Sequence, residues 1–123
     1  MTQPPVDFVP KWVFGIMNNL FEMEKKIELN GDSANLQRHI ERMKDLMGAE
    51  KVFFENPIGE RFSETRTDLE ATITGADTDD LYVIEVIKPI IRIGDRSYSR
   101  VVQKGIVVVE SGRTKTPNGE SNV

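Results

Sequence analysis

At 123 residues, with 38% hydrophobic and 29% charged side chains, the chain has the make-up of one soluble globular domain. It is long enough to bury roughly two thirds of its unfolded surface. A formal net charge of -4 argues against general polyanion binding, and the absence of cysteine excludes disulfides, thiolate chemistry and cysteine-ligated zinc.

No window approaches the apolar run that a membrane span needs. Pro4 and Pro5 stand where a signal peptide would carry its basic region and apolar core. With no cysteine to suit an oxidising compartment, the expected location is cytoplasmic.

Residues 1–10 read as a lead-in, because Pro4, Pro5 and Pro10 lack N–H donors and disfavour helix in the residues before them. Pro10 can itself open a helix. Lys11 to Leu29 then has helical periodicity. Trp12, Ile16, Leu20, Met23 and Ile27 fall on one stripe, and Val13, Met17 and Phe21 on an adjacent one. Asn30-Gly31 tolerates the left-handed conformation that ends a helix.

Asp32 or Ser33 is expected to cap a second helix running to about Met47, with Leu36, Ile40, Met43 and Met47 as its apolar stripe and Gly48 closing it. The short link predicts an antiparallel hairpin. Two helices cannot cover both stripes of the first. A second copy is therefore expected to complete a dimeric four-helix bundle, with Trp12, Ile16, Leu20, Met23, Ile27, Leu36, Ile40 and Met43 at the interface. Residues 11–49 form this dimerisation hairpin.

Residues 50–110 read as a small all-β domain, making the fold class α+β. Lys51 to Phe54 is a short apolar piece, Asn56-Pro57-Ile58-Gly59 a turn, and Arg61 to Asp68 a polar connection. In Leu69 to Thr74, apolar and polar side chains alternate as in a half-buried strand, and an acidic loop runs from Gly75 to Asp80. Leu81 to Val109 is dense in Val and Ile and broken by Pro89, Gly94 and Gly105, which predicts a hairpin or meander. Residues 111–123, almost all polar, read as a disordered tail.

Lys88, Arg92, Arg96, Arg100 and Lys104 recur every fourth residue through this segment, a spacing that places side chains on one face of a strand until a turn or bulge resets it. Two readings stand open: protection of exposed edges, or a docking surface for an acidic partner. Three arginines to two lysines favour recognition, because guanidinium forks bind carboxylates bidentately. Nucleic acid fits less well, with only Tyr82 and Tyr98 nearby to stack and no known binding motif.

Catalytic constellations are lacking. His39, the only histidine, flanks the stripe of the second helix without partners placed for base or metal chemistry. Asp77, Asp79 and Asp80 lack the glycine and terminal glutamate of a calcium loop. Glu60, Glu64 and Glu70 form no matched carboxylate pair, and no phosphate-binding loop, nucleophile elbow or zinc helix occurs. The expectation is a protein that is not an enzyme and needs no cofactor or metal.

The order of Gly48-Ala49-Glu50-Lys51-Val52, Gly59-Glu60-Arg61-Phe62, Leu69-Glu70-Ala71-Thr72, Glu85-Val86-Ile87-Lys88-Pro89-Ile90-Ile91, Gly94-Asp95-Arg96 and Val107-Val108-Val109, after two amphipathic helices, resembles the C-terminal two thirds of the GrpE family. GrpE proteins are nucleotide exchange factors of DnaK-type chaperones. The resemblance covers roughly Lys11 to Glu110. It implies a homodimeric co-chaperone in protein folding and the stress response, whose β-domain docks on the chaperone's nucleotide-binding domain and lets ADP leave. It also implies that Arg96, Ile87 and Val109 lie on the contacting face, with Lys88 beside them.

The chain departs from the family pattern in several places. Leu69 stands for the histidine of the family's H-E-A-V strand, Pro89-Ile90-Ile91 for K-G-Y, and Arg100 to Lys104 for a shorter R-P-A. The family's long N-terminal helix has no counterpart here. As a family member the chain would be short and divergent or partial. The alternative function is a GrpE-like interaction module that has lost exchange activity.

Overall fold

Pro10 is the last extended residue before the first helix, with φ -60° and ψ 143°. Its carbonyl accepts the N–H of Val13 at 3.0 Å, so the proline stands just outside the helix as its cap rather than within the first turn. A computed structural model of the chain describes residues 9–95 and 97–112. The expected lead-in over residues 1–8, Arg96, and the expected tail from residue 113 lie outside the described residues.

The described residues form an α+β structure of two helices and six strands in two sheets: α1 Lys11–Asn30, α2 Gln37–Ala49, β1 Val52–Glu55, β2 Leu69–Thr74, β3 Leu81–Lys88, β4 Ile90–Asp95, β5 Tyr98–Gln103 and β6 Gly105–Ser111. They divide into two compact units. One runs as far as Glu55 and includes Ile91–Gln103; the other comprises Asn56–Ile90 and the chain from Lys104 onward. Packing thus divides the chain elsewhere than at residues 49 and 50, where the sequence placed the break: β1, β4 and β5 share a unit with the helices.

In the first unit α1 ends as its composition predicts. Gly31 adopts φ 84° and donates its N–H to the carbonyl of Ile27 at 2.7 Å. α2 starts later than expected, at Gln37, because residues 32–35 turn first and Asn35 takes φ 58°. Asp32 still serves as the cap, from a distance. Its carboxylate accepts the N–H groups of Leu36 and Gln37 at 2.6 and 3.0 Å, two of the donors that a helix start leaves unpaired. Gly48 does not close α2 but lies within its last turn, and the left-handed residue is Lys51 at φ 70°. Lys44 of α2 bonds Glu24 of α1 at 2.9 Å, a pairing nearly equidistant from the link, as an antiparallel hairpin requires.

The core of this unit joins both helices to a three-stranded sheet of order β1-β4-β5. Val13, Met17 and Leu20 of α1 are buried with Ile40 of α2, Val52 of β1 and Ile91 of β4. Phe21, also buried, meets Phe54 edge to face at 6.1 Å. Asn18 and Gln103 exchange two amide hydrogen bonds, at 3.1 and 2.9 Å, which tie α1 to β5.

The second unit holds a sheet of order β2-β6-β3. β6 is the central strand, parallel to β2 and antiparallel to β3. Val83, Val86, Val107 and Val109 are buried in it. The outer edge of β3 is covered by the turn segment before it: Gly59 and Phe62 donate to the carbonyls of Val83 and Leu81 at 2.9 and 2.8 Å, and Val83 donates back to Glu60 at 2.9 Å. β6 extends through Ser111, which is fully buried opposite Leu81, so Ser111 belongs to the sheet rather than to the expected tail.

Leu81 to Val109 is not one hairpin or meander. Among the described residues β3 does not pair with β4, and β4 with β5 is the only hairpin within it. Pro89, buried at the junction, cannot donate to a ladder. The chain changes sheet there and again at Lys104, and the register of β3 against β6 slips twice. The cations therefore do not share a face: Lys88 and Lys104 belong to the second unit, Arg92 and Arg100 to the first.

Two glycines stand where a larger residue would have to displace its neighbours. At Gly105 an added Cβ would come within 2.8 Å of Leu69 Cδ2. Gly94, at φ 135°, would place a Cβ 2.5 Å from the carbonyl oxygen of Tyr98 across the β4–β5 ladder. Gly94→Ala is expected to lower stability by about 1–3 kcal/mol, read as a shift of the urea unfolding midpoint.

Candidate functional site

The β4–β5 turn carries the Gly94-Asp95-Arg96 motif. β4 and β5 pair Gly94 with Ser99 and Asp95 with Tyr98, so Asp95 closes the hairpin on one side and Tyr98, 84% exposed, on the other. The turn is tied to the residue before β1. Gly94 donates its N–H to the carbonyl of Lys51 at 2.8 Å, and Lys51 Nζ meets Asp95 Oδ1 at 2.6 Å. The hydrogen bond to Asp95, and then its charge, raise the Lys51 pKa above the ordinary lysine value. A raised lysine pKa favours the folded state at and below neutral pH, and that contribution is lost only as pH climbs through the raised value. The pair is solvent-exposed, so its contribution is small.

Beside this turn lies an open groove of about 730 Å³ between the end of α2, β1 and the tip of β4. Its walls are polar and mostly charge-paired. Glu41 lies 3.7 Å from Lys44, Glu55 accepts from Arg92 Nε at 2.9 Å, and Asp95 is held by Lys51. Lys44 stands over the Phe54 ring at 5.0 Å. Carboxylates so neutralised are poor candidates for nucleophiles or general bases. His39 is exposed on α2, and Asp77 accepts the N–H of Asp79 in a local turn at 3.0 Å. Among the described residues no cluster of three or more His, Asp or Glu side chains is placed to hold a metal ion.

The residues expected at a partner face are distributed unevenly. Arg96 lies outside the described residues. Ile87, 47% exposed, and Lys88 stand at the open end of β3. Val109 is fully enclosed between Val83 and Ile73 at the centre of its sheet. It is a core residue and presents nothing to a partner, because the strand's parity turns it inward with Val107.

The helical hairpin presents a second surface. Trp12, Ile16, Met23, Leu36 and Met43 are all exposed apolar side chains, and an open groove of about 390 Å³ runs between Trp12, Ile16, Asn19, Leu20, Met23 and Met43. The other three expected interface residues belong to the unit's interior. Leu20 and Ile40 are buried and Ile27 packs on the same core, since α1 turns the Val13-Met17-Leu20-Phe21 face to α2 and the sheet. No helix is long and apolar enough to cross a membrane among the described residues.

One cluster gave no sequence signal beyond an arginine two residues before an aspartate. Arg66 grips Asp68 with two parallel bonds of 3.0 Å from Nε and Nη2, and its Nη1 reaches Glu60 at 3.0 Å and the carbonyl of Arg61 at 3.3 Å. The bond to Asp68 is the largest cause of a raised Arg66 pKa. This fork folds the polar connection onto itself and sets the start of β2. Comparisons of the chain with protein-family models, with curated proteins and with solved structures find no match.

Arg66→Ala leaves the mostly buried Asp68 carboxylate without its fork and is expected to lower stability by about 1–3 kcal/mol. Arg66→Lys restores the charge without the fork and recovers only part of the loss. Urea unfolding midpoints of the two variants check this.

Proposed function

We propose that this protein is a nucleotide exchange factor of the GrpE type. It would promote ADP release from a DnaK-type chaperone by binding the open form of the nucleotide-binding domain more tightly than the closed form, the differential affinity that any such factor requires. The observation that carries the reading is the ordered set of segments from Gly59-Glu60-Arg61-Phe62 to Val107-Val108-Val109, following a helical hairpin. Support also comes from the Gly94-Asp95 hairpin tip braced by Lys51 and from Ile87 and Lys88 exposed at the end of β3. Val109, enclosed in its sheet, takes no part. The contact rests on Arg96, Ile87 and Lys88.

Stopped-flow release of labelled ADP from the chaperone tests the reading. Saturating protein is expected to accelerate release, and Arg96→Ala to weaken binding by about 1–3 kcal/mol, as for loss of one charge-assisted contact. Unaccelerated release by correctly folded protein rejects exchange. Retained binding in that case would identify an interaction module without exchange activity.

The functional unit is proposed to be a homodimer closed through the exposed side of the helical hairpin. Its support is the apolar surface formed by Trp12, Ile16, Met23, Leu36 and Met43. Sedimentation at micromolar concentration should give a dimer, and Ile16→Asp, at a side chain 41% exposed within the unit, should give a folded monomer.

A further inference from the structure

We propose that the outer edge of β2 is a strand-addition site for an extended, basic peptide. Asp68 accepts the N–H of Gly105 at 2.9 Å, so its carbonyl points toward β6. Strand alternation then turns the backbone groups of Glu70, Thr72 and Thr74 toward β6, and those of Leu69, Ala71 and Ile73 outward. β2 is the last strand on its side of the sheet, and among the described residues no backbone group meets these outward donors and acceptors. The opposite edge of the sheet, by contrast, is covered by the Gly59–Phe62 segment.

Sheet edges are ordinarily guarded by lysine, proline, a bulge or a covering segment. β2, with the sequence LEATIT, has no lysine or proline and pairs with β6 without a register slip. Its side chains are open as well. Ile73 lies beside the fully buried Val109 yet is 38% exposed, because among the described residues no strand lies beyond it. An added strand would cover Ile73 and Ala71 and pair the open backbone groups, the mode by which sheet edges bind extended peptides.

Charge selects the occupant. From Glu70 to Asp80 the chain carries four carboxylates and no cation, and Asp80 among them is paired with Arg61 at 3.4 Å. Glu110 lies against Gly75 at the end of β2, 3.9 Å from where a Cβ would sit. The described part of the second unit holds nine carboxylates against four cations, whereas the described part of the first is balanced at nine of each. A like-charged edge disfavours a second copy and favours a strand bearing lysine or arginine between β-branched residues.

Amide hydrogen exchange on the full chain, followed by NMR, tests the site directly. In the free protein Ala71 and Ile73 should exchange fast and Thr72 and Thr74 slowly. Adding the peptide Lys-Val-Thr-Val-Arg-Val-Lys should slow Ala71 and Ile73 at least 10-fold while Thr72 and Thr74 stay as they were. The same peptide with glutamate in place of each cation should have no effect. Ile73→Pro should weaken peptide binding more than 10-fold without unfolding the sheet, because the Ile73 N–H serves no ladder bond and Thr72 is already extended. Glu70→Lys, which cannot disturb the edge backbone, should weaken it several-fold. Unchanged exchange on adding the basic peptide, or equal binding of the acidic one, overturns the proposal. So does protection of Ala71 and Ile73 in the free protein: concentration-dependent protection would assign the edge to a second copy, and concentration-independent protection to the chain itself.

Discussion

α1 has two apolar stripes, and its unit encloses one of them together with only Leu20 and Ile27 of the other. Which stripe goes inside is decided by what lies opposite. Ile40 arrives from α2, Val52 from β1 and Ile91 from β4, and all three meet the Val13-Met17-Leu20 side. Each of these buried side chains is worth roughly 1.5–3 kcal/mol in apolar burial, so the cluster outweighs any local preference of the helix. Phe21 and Phe54 extend the same layer, with Lys25 and Lys44 laid over their faces at 5.1 and 5.0 Å. The remaining stripe keeps Trp12, Ile16 and Met23 outward as a consequence.

In the second unit β6 takes the organising part. It is paired on both sides, so its Gly105, Val107, Val109 and Ser111 are all buried. Gly105 lets Leu69 and Ile90 approach the start of the strand closely. Arg66 holds the Asp68 side chain, and the Asp68 carbonyl receives the Gly105 N–H where the parallel β2–β6 ladder begins.

The two helices, the end of α1 and the strand at Leu69–Thr74 were readable because the responsible signals are local: periodicity over α1, Asn30-Gly31 at its end, alternation over Leu69–Thr74. Sheet membership was not, since it depends on partners far along the chain. Pro89 was visible as a break, but a break does not say whether the next strand folds back or departs to another sheet. That is why an even spacing of cations suggested one basic face where the chain places Lys88 and Arg92 in different units. The same limit applied to the site. The resemblance placed Ile87 and Val109 on one contacting face; Ile87 is exposed, whereas strand parity and a neighbour on each side enclose Val109. The start of α2 was misplaced because Asp32 caps from beyond the usual position, through a turn whose Asn35 is left-handed.

Charge separates the two units in a way that the net value of -4 conceals. In the first unit, cations and carboxylates are balanced and many are paired at short range, as in Lys51–Asp95, Lys44–Glu24 and Arg92–Glu55. Exposed pairs of this kind stabilise weakly and leave little long-range field. A partner meeting the β4–β5 tip would therefore read local geometry, such as a single arginine fork, more than a potential. The second unit keeps a surplus of carboxylates, and a surplus acts over about a Debye length, roughly 8 Å at physiological salt. That range spans a neighbouring strand position. An edge with open hydrogen-bond groups is undiscriminating in itself, because every peptide has the same backbone. It is the excess of carboxylates over cations in the second unit that would give such an edge a preference, and salt should erode that preference before it erodes the backbone pairing.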